Sequence, residues 1–118
     1  MVSTGAQWQG ILDDAVAESL GTASTRYAGT ETTGLNASEL HDRPQAEVNE
    51  KMKAATKRLL ERGAKAICLG CAGMAGLDVV VREACVEALG EREGGRVRVV
   101  DGVVAGVGFL EVGLRAGL

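Results

Sequence analysis

The stretch Ala66-Ile67-Cys68-Leu69-Gly70-Cys71-Ala72-Gly73-Met74-Ala75-Gly76-Leu77 decides the fold. It begins as a short apolar run with a β-branched residue, turns through closely spaced glycines, and then passes into a helical pattern. Strand, loop and helix in that order form the central step of a βα unit, with Cys71 at the tip of the turn. Ligands of open α/β sheets bind outside the carboxyl ends of the strands, so a thiol at this tip is placed to meet one.

The flanking sequence repeats the alternation. Upstream, residues 45–62 carry Val48, Met52, Ala55, Leu59 and Leu60 at helical spacing, with Glu47 and Glu50 early and Lys57 and Arg58 late, as the helix dipole favours. Gly63 is the expected stop, and residues 65–69 read as a buried strand. Residues 30–44 are polar and turn-rich, with a short helical turn expected around 38–41. Residues 24–29 read as a short strand. Residues 6–20 read as a helix through Trp8, Ile11, Leu12, Ala15, Val16 and Leu20, and Met1-Val2-Ser3-Thr4-Gly5 as the end of a strand running into a turn. Downstream, residues 77–89 read as a helix with Val80, Val81, Ala84, Cys85 and Leu89 on its apolar side, followed by a charged loop at 90–96. A strand at 97–100, a turn at Asp101-Gly102 and an apolar, glycine-interrupted helix at 103–114 complete the pattern. Four βα steps in succession predict a parallel sheet joined by right-handed crossovers, with helices on both faces, in a single domain spanning 1–118.

Composition narrows the function. With 46% hydrophobic and 25% charged residues and no long apolar run, the chain reads as a globular protein with no membrane partner. A net charge of -3 and 3% aromatic residues leave neither a basic footprint nor stacking platforms for nucleic acid, so a small molecule is the expected partner. Three cysteines, an odd number, without a secretory signal point to a reducing compartment, the cytoplasm. Gly70, Gly73 and Gly76 do not make G-x-G-x-x-G and no G-K-[ST] follows, so no nucleotide cofactor is indicated.

Cys71 is the candidate reactive residue. A thiol beside the free N–H groups of Ala72, Gly73 and Met74 would be activated as thiolate, and the same donors would hold a carboxylate or a developing oxyanion. The competing reading makes Cys71 a small apolar residue filling a tight turn. Cys68 and Cys71 also spell C-x-x-C, but Cys68 falls inside the strand and no second pair or histidine set completes a metal site. Ser3 and Thr4, at the end of the first strand, share the rim with Cys71 and either bind a polar ligand or cap the next helix. Asp101, at the end of the last strand, is either a ligand contact or a turn residue. His41, the only histidine, reads as a solvated surface residue, and Trp8 and Cys85 as core.

Leu69-Gly70-Cys71-Ala72-Gly73-Met74 resembles the aspartate/glutamate/hydantoin racemase superfamily, especially its hydantoin and allantoin racemase branch and the fungal members of it. The likeness extends through Val2-Ser3-Thr4-Gly5 with Trp8 and Leu12, Gly34-Leu35 to Leu40-His41-Asp42, Arg62-Gly63-Ala64, and Val99-Val100-Asp101-Gly102-Val103-Val104-Ala105. It implies a flavodoxin-like three-layer α/β/α fold with about four parallel strands, one half of a two-domain racemase, and this chain looks like the second half only. It also implies cofactor-independent, metal-free proton transfer between two cysteines that flank a stereocentre. Cys71 matches the second cysteine, with Ser3, Thr4, Gly70, Ala72, Gly73, Met74 and Asp101 as substrate contacts. The first cysteine has no counterpart, since neither Cys68 nor Cys85 matches it. The chain alone is therefore expected to have little or no racemase activity and, with its last apolar helix uncovered, to form a homo-oligomer. The alternative is a non-catalytic small-ligand-binding or oligomer-forming domain that retains the fold.

Overall fold

The computed structural model describes residues 1–118. Strands β1 (Val2–Ser3), β2 (Glu31–Thr32), β3 (Ala66–Leu69) and β4 (Arg98–Asp101) form one all-parallel sheet in the order β2-β1-β3-β4. The helices are α1 (Trp8–Leu20), the single turn α2 (Glu39–Asp42), α3 (Gln45–Glu61), α4 (Asp78–Gly94) and α5 (Gly102–Ala116), with a 3-10 turn at Ala72–Met74 between β3 and α4. The chain leaves β1 toward β2, then returns across β1 to build β3 and β4. Loops at the carboxyl ends of β1 and β3 therefore diverge, and the crevice between them is the switch point at which such sheets bind ligands.

The core lies where α3 and α4 pack on the sheet. Every apolar position of the α3 stripe, Val48, Met52, Ala55, Leu59 and Leu60, is buried. They meet Ile67 and Leu69 of β3 and Val80, Val81 and Cys85 of α4 in one cluster. Each large side chain so buried contributes roughly 1.5–3 kcal/mol. Thr56 fits this apolar surface because its hydroxyl donates to the Met52 carbonyl at 2.9 Å. Helix α3 stops where the sequence places Gly63, whose φ of 83° lets its amide and that of Ala64 close back on the carbonyls of Leu60 and Leu59. On the outer seam Lys53 bridges Glu83 and Glu87, and Lys57 also holds Glu87.

Three sequence expectations are corrected. The second strand is at Glu31–Thr32 and not at 24–29. Its backbone pairs with β1 through Glu31 N–H to Met1 O and Thr33 N–H to Ser3 O, both 2.9 Å, while its side chains are polar. Glu31 is buried there because Arg58 and Arg62 of α3 neutralise it, so no hydrophobic alternation marks the strand. The segment expected as strand instead carries Tyr27, whose hydroxyl donates to Asp13 of α1. Secondly, Trp8 is not core: it is 43% exposed, and Leu89 is 41% exposed. Thirdly, helical structure resumes within the expected loop at 90–96, after a non-helical break at Gly90, and reaches Gly94.

The two remaining helices bury almost nothing. Neither α1 nor α5 contributes a fully buried residue. The sheet is thus packed on one side by α3 and α4 and only lightly covered elsewhere.

Candidate active site

Strand register aligns the candidate residues along one rim. Leu69 pairs with Val2 on one side and with Asp101 on the other, so the residues that follow in each strand emerge together. Gly70 donates its N–H to the Val2 carbonyl at 2.8 Å. A Cβ on Gly70 would stand 2.7 Å from Met1 Sδ and 3.2 Å from that carbonyl, and one on Gly102 would stand 3.2 Å from the Leu69 carbonyl. Glycine at both places allows the strand ends to close up beside the thiol.

Cys71 is extended (φ -144°, ψ 134°) and heads the 3-10 turn. It is half-buried and packs against the core cluster. Its carbonyl accepts the Met74 N–H at 3.0 Å, so that amide is not one of the free donors expected from the sequence. The Met74 side chain is fully buried. Met74 therefore anchors the loop from below. The amides of Ala72 and Gly73, as the first two of the turn, have no acceptor within it and stay available. A Cβ at Gly73 would stand 3.6 Å from Cys71 Sγ, so the residue at 73 sits against the thiol itself.

Cys71 opens into a hollow of about 320 Å³. Gly70 and Ala72 line it beside the thiol, Gly102 and Val103 from the start of α5, and Met1 and Leu12 from β1 and α1. No charged side chain enters the lining. Met1, Leu12 and Val103 were not singled out as site residues in the sequence, where nothing distinguishes them from ordinary apolar positions. Gly102 was legible only as the turn after a strand.

The other candidates are distributed around this hollow. Ser3 and Thr4 are buried at the end of β1 and do not line it. They do not cap α1 either, because no side chain caps that helix. Neither hydroxyl bonds within the chain, and no fully buried side-chain oxygen lacks a partner, so both hydroxyls retain a path to solvent. Asp101 caps α5, its Oδ1 accepting from Val103 at 2.8 Å and Val104 at 3.2 Å, and it borders a separate hollow with Asp78 and Arg82. Gly73 borders a third, more polar hollow of about 450 Å³ with Leu40, His41, Gln45, Asn49 and Glu83. His41 is exposed there, as expected.

The remaining thiols are differently placed. Cys85 is wholly buried on α4, and burial pushes its pKa up. Cys68 lies within β3, its Sγ 3.8 Å from the Leu69 carbonyl. No three His, Cys, Asp or Glu side chains converge as a metal-binding group.

Comparison with known proteins bears on the family and the fold. The model of the Asp/Glu/Hydantoin racemase family matches residues 1–110. An uncharacterised protein of Schizosaccharomyces pombe is 33% identical over 111 residues, covering 93% of this chain and 43% of its own. The crystal structure of allantoin racemase from Pseudomonas fluorescens superposes with a TM-score of 0.73 at 31% identity, covering 99% of this chain and 46% of its own. The chain thus spans less than half the length of these two relatives. A family match over nearly all of its residues, on a parallel α/β sheet with a thiol at the switch point, establishes that the chain belongs to the Asp/Glu/Hydantoin racemase family.

Proposed function

We propose that the chain is the second half of a cofactor-independent racemase acting on amino acids, hydantoins or related compounds, with Cys71 as one of two acid/base groups. The observation that carries this reading is the position of Cys71, half-buried at the carboxyl end of β3, beside two unspent amides and next to the strand that ends in two unpaired hydroxyls. As thiolate, Cys71 takes the proton from a carbon next to a carbonyl; the C–H electron pair moves to the carbonyl oxygen, giving an enolate. The N–H groups of Ala72 and Gly73, beside the thiol, are the donors that stabilise the oxyanion. Reprotonation on the opposite face inverts the centre and requires a second thiol. Neither Cys68, within β3, nor Cys85, inside the core, takes that role.

The chain alone therefore binds a small substrate without racemising it. Polarimetry of a single enantiomer of a 5-substituted hydantoin or of allantoin tests this. A protein extended upstream by the other half should erase the rotation, and Cys71→Ser should abolish that activity. Rapid turnover by the 118-residue chain would overturn the two-cysteine reading. The missing second thiol favours one other reading, a non-catalytic small-ligand domain, which predicts that the extended protein also leaves the rotation unchanged. The unpaired thiols suit a reducing, cytoplasmic setting, and the uncovered apolar helix suits a homo-oligomer.

A further inference from the structure

Helix α1 walls the Cys71 hollow through Leu12, yet little of what usually holds a helix in place is present in it. No residue of α1 is fully buried, no side chain caps its N-terminus and no acidic residue occupies its first turn. Its 13 residues are marginal as a helix in water, so α1 depends on what fastens it to the sheet. Leu12, Asp13, Val16 and Ala17 form its half-buried face. Among its side chains only Asp13 hydrogen-bonds beyond the helix. Asp13 Oδ1 accepts the Thr30 N–H at 2.9 Å and the Tyr27 hydroxyl at 3.1 Å, and the Tyr27 and Thr30 hydroxyls bond each other, which closes a ring. Thr30 is wholly buried, and burial raises the Tyr27 pKa, so its hydroxyl stays a donor. Asp13 Oδ2 has no partner in the chain.

We infer that Asp13 is a positioning residue for the Cys71 hollow, holding α1 against the sheet so that Leu12 stays beside the thiol. A shared anchor carries this. Thr30 directly precedes Glu31, whose N–H bonds the Met1 carbonyl at 2.9 Å. Met1 and Leu12 line the hollow together, and the ring at Asp13 ties the helix that bears Leu12 to the strand paired with Met1. Leu12 is the neighbour of Asp13 in sequence, so slack in the ring reaches the wall across one residue. What the position requires is an acceptor for two hydrogen bonds and not a charge, because no cation bonds Asp13. An amide of the same shape keeps the Oδ1 acceptor and puts its NH2 where Oδ2 has no partner. A methyl group there leaves the buried Thr30 N–H without an acceptor and frees α1 locally. The inference rests on the proposed reading of Cys71. It is tested by the thiol's accessibility, whereas polarimetry tests that reading, so the two can fail separately.

Thiol modification and amide hydrogen exchange on the 118-residue chain, at one fixed concentration, test the inference together. Asp13→Ala should speed both the modification of Cys71 and the exchange of residues 8–20 on the order of tenfold, the effect of one unsatisfied buried amide. Cys85, wholly buried on α4, and the amides of α3 should stay as protected as in the parent. Asp13→Asn should match the parent throughout. An unchanged rate at Cys71 overturns the inference, whether or not exchange across α1 speeds up, because α1 then does not wall the thiol. Equal acceleration at Cys85 and across α3 overturns it by making Asp13 a support of the whole fold. Asp13→Asn behaving like Asp13→Ala overturns it by making charge the property that matters. Should Asp13→Ala not fold, Tyr27→Phe removes one bond of the ring and leaves the Thr30 N–H paired. That variant should still speed Cys71 modification several-fold, and a rate equal to the parent's overturns the inference.

Discussion

Replacing Gly70 by alanine probes the crevice without touching the thiol. The added Cβ would lie 2.7 Å from Met1 Sδ, 3.0 Å from Met1 Cγ and 3.2 Å from the Val2 carbonyl. The methionine side chain can rotate away. The carbonyl cannot, because it belongs to β1 and accepts the Gly70 N–H at 2.8 Å. β1 and β3 share a single register pair, Val2 with Leu69, so even a shift of a few tenths of an ångström is concentrated on that contact. Overpacking of this kind costs about 1–3 kcal/mol. For a domain of this size that lowers Tm by roughly 5–15 °C. Gly10→Ala is the matched control: Gly10 lies in α1 with nothing within 4 Å of its added Cβ, so the change should stabilise by up to about 1 kcal/mol. Urea unfolding followed by circular dichroism, at one fixed protein concentration, measures both. If Gly70→Ala is as stable as the parent, the claim that close approach of β1 and β3 requires this glycine is wrong.

Three further outcomes follow from burial and charge. Met52→Ala, at a fully buried position of α3, should cost about 2–5 kcal/mol, seen as a lower urea midpoint. A thiol reagent should modify Cys68 and Cys71 in the folded protein and reach Cys85 only on unfolding, because Cys85 is buried and its pKa raised; rapid native labelling of Cys85 would contradict the packing of α4. Hydrogen bonds from Lys53 and Lys57 hold the Glu87 carboxyl down at about 2 against an ordinary 4.5. Its folded pKa lies below its unfolded one, so its contribution is complete above about 4.5 and lost as pH falls toward 2; Glu87→Gln should flatten that acid limb in thermal melts.

What the sequence made legible follows the physics that wrote it. The α3 stripe was readable because burial on one face leaves a helical period, and all five of its apolar positions are buried. β3 and the turn after it were readable because an apolar run ending in glycines has few other solutions. β2 was misplaced because its burial depends on Arg58 and Arg62, more than 25 residues away in sequence, meeting Glu31. Trp8 was read as core because helical periodicity records that a face is apolar and not what covers it. The same limit applied to the site. Cys71 announced itself through the glycines around it, whereas Met1, Leu12 and Val103 reach the hollow only through the parallel register of three strands. Met74 spends both its amide and its side chain on holding the turn, which the sequence pattern alone does not reveal.

The lining of the Cys71 hollow constrains what the proposed site can do. Its surface is glycine, alanine, methionine, leucine, valine and the thiol, so no side chain there can distinguish one polar substrate from another. The donors at hand are backbone amides, which bind any carboxylate or carbonyl oxygen, and two hydroxyls set deeper at the end of β1. Discrimination between related substrates in a largely apolar pocket amounts to only about 1–3 kcal/mol per missing methylene, so selectivity must come from groups placed opposite the thiol. In the proposed reaction the same groups would exclude water, which strengthens every interaction with an oxyanion. Covering the hollow and choosing the substrate are thus one task, and it falls to whatever packs against the crevice and the start of α5.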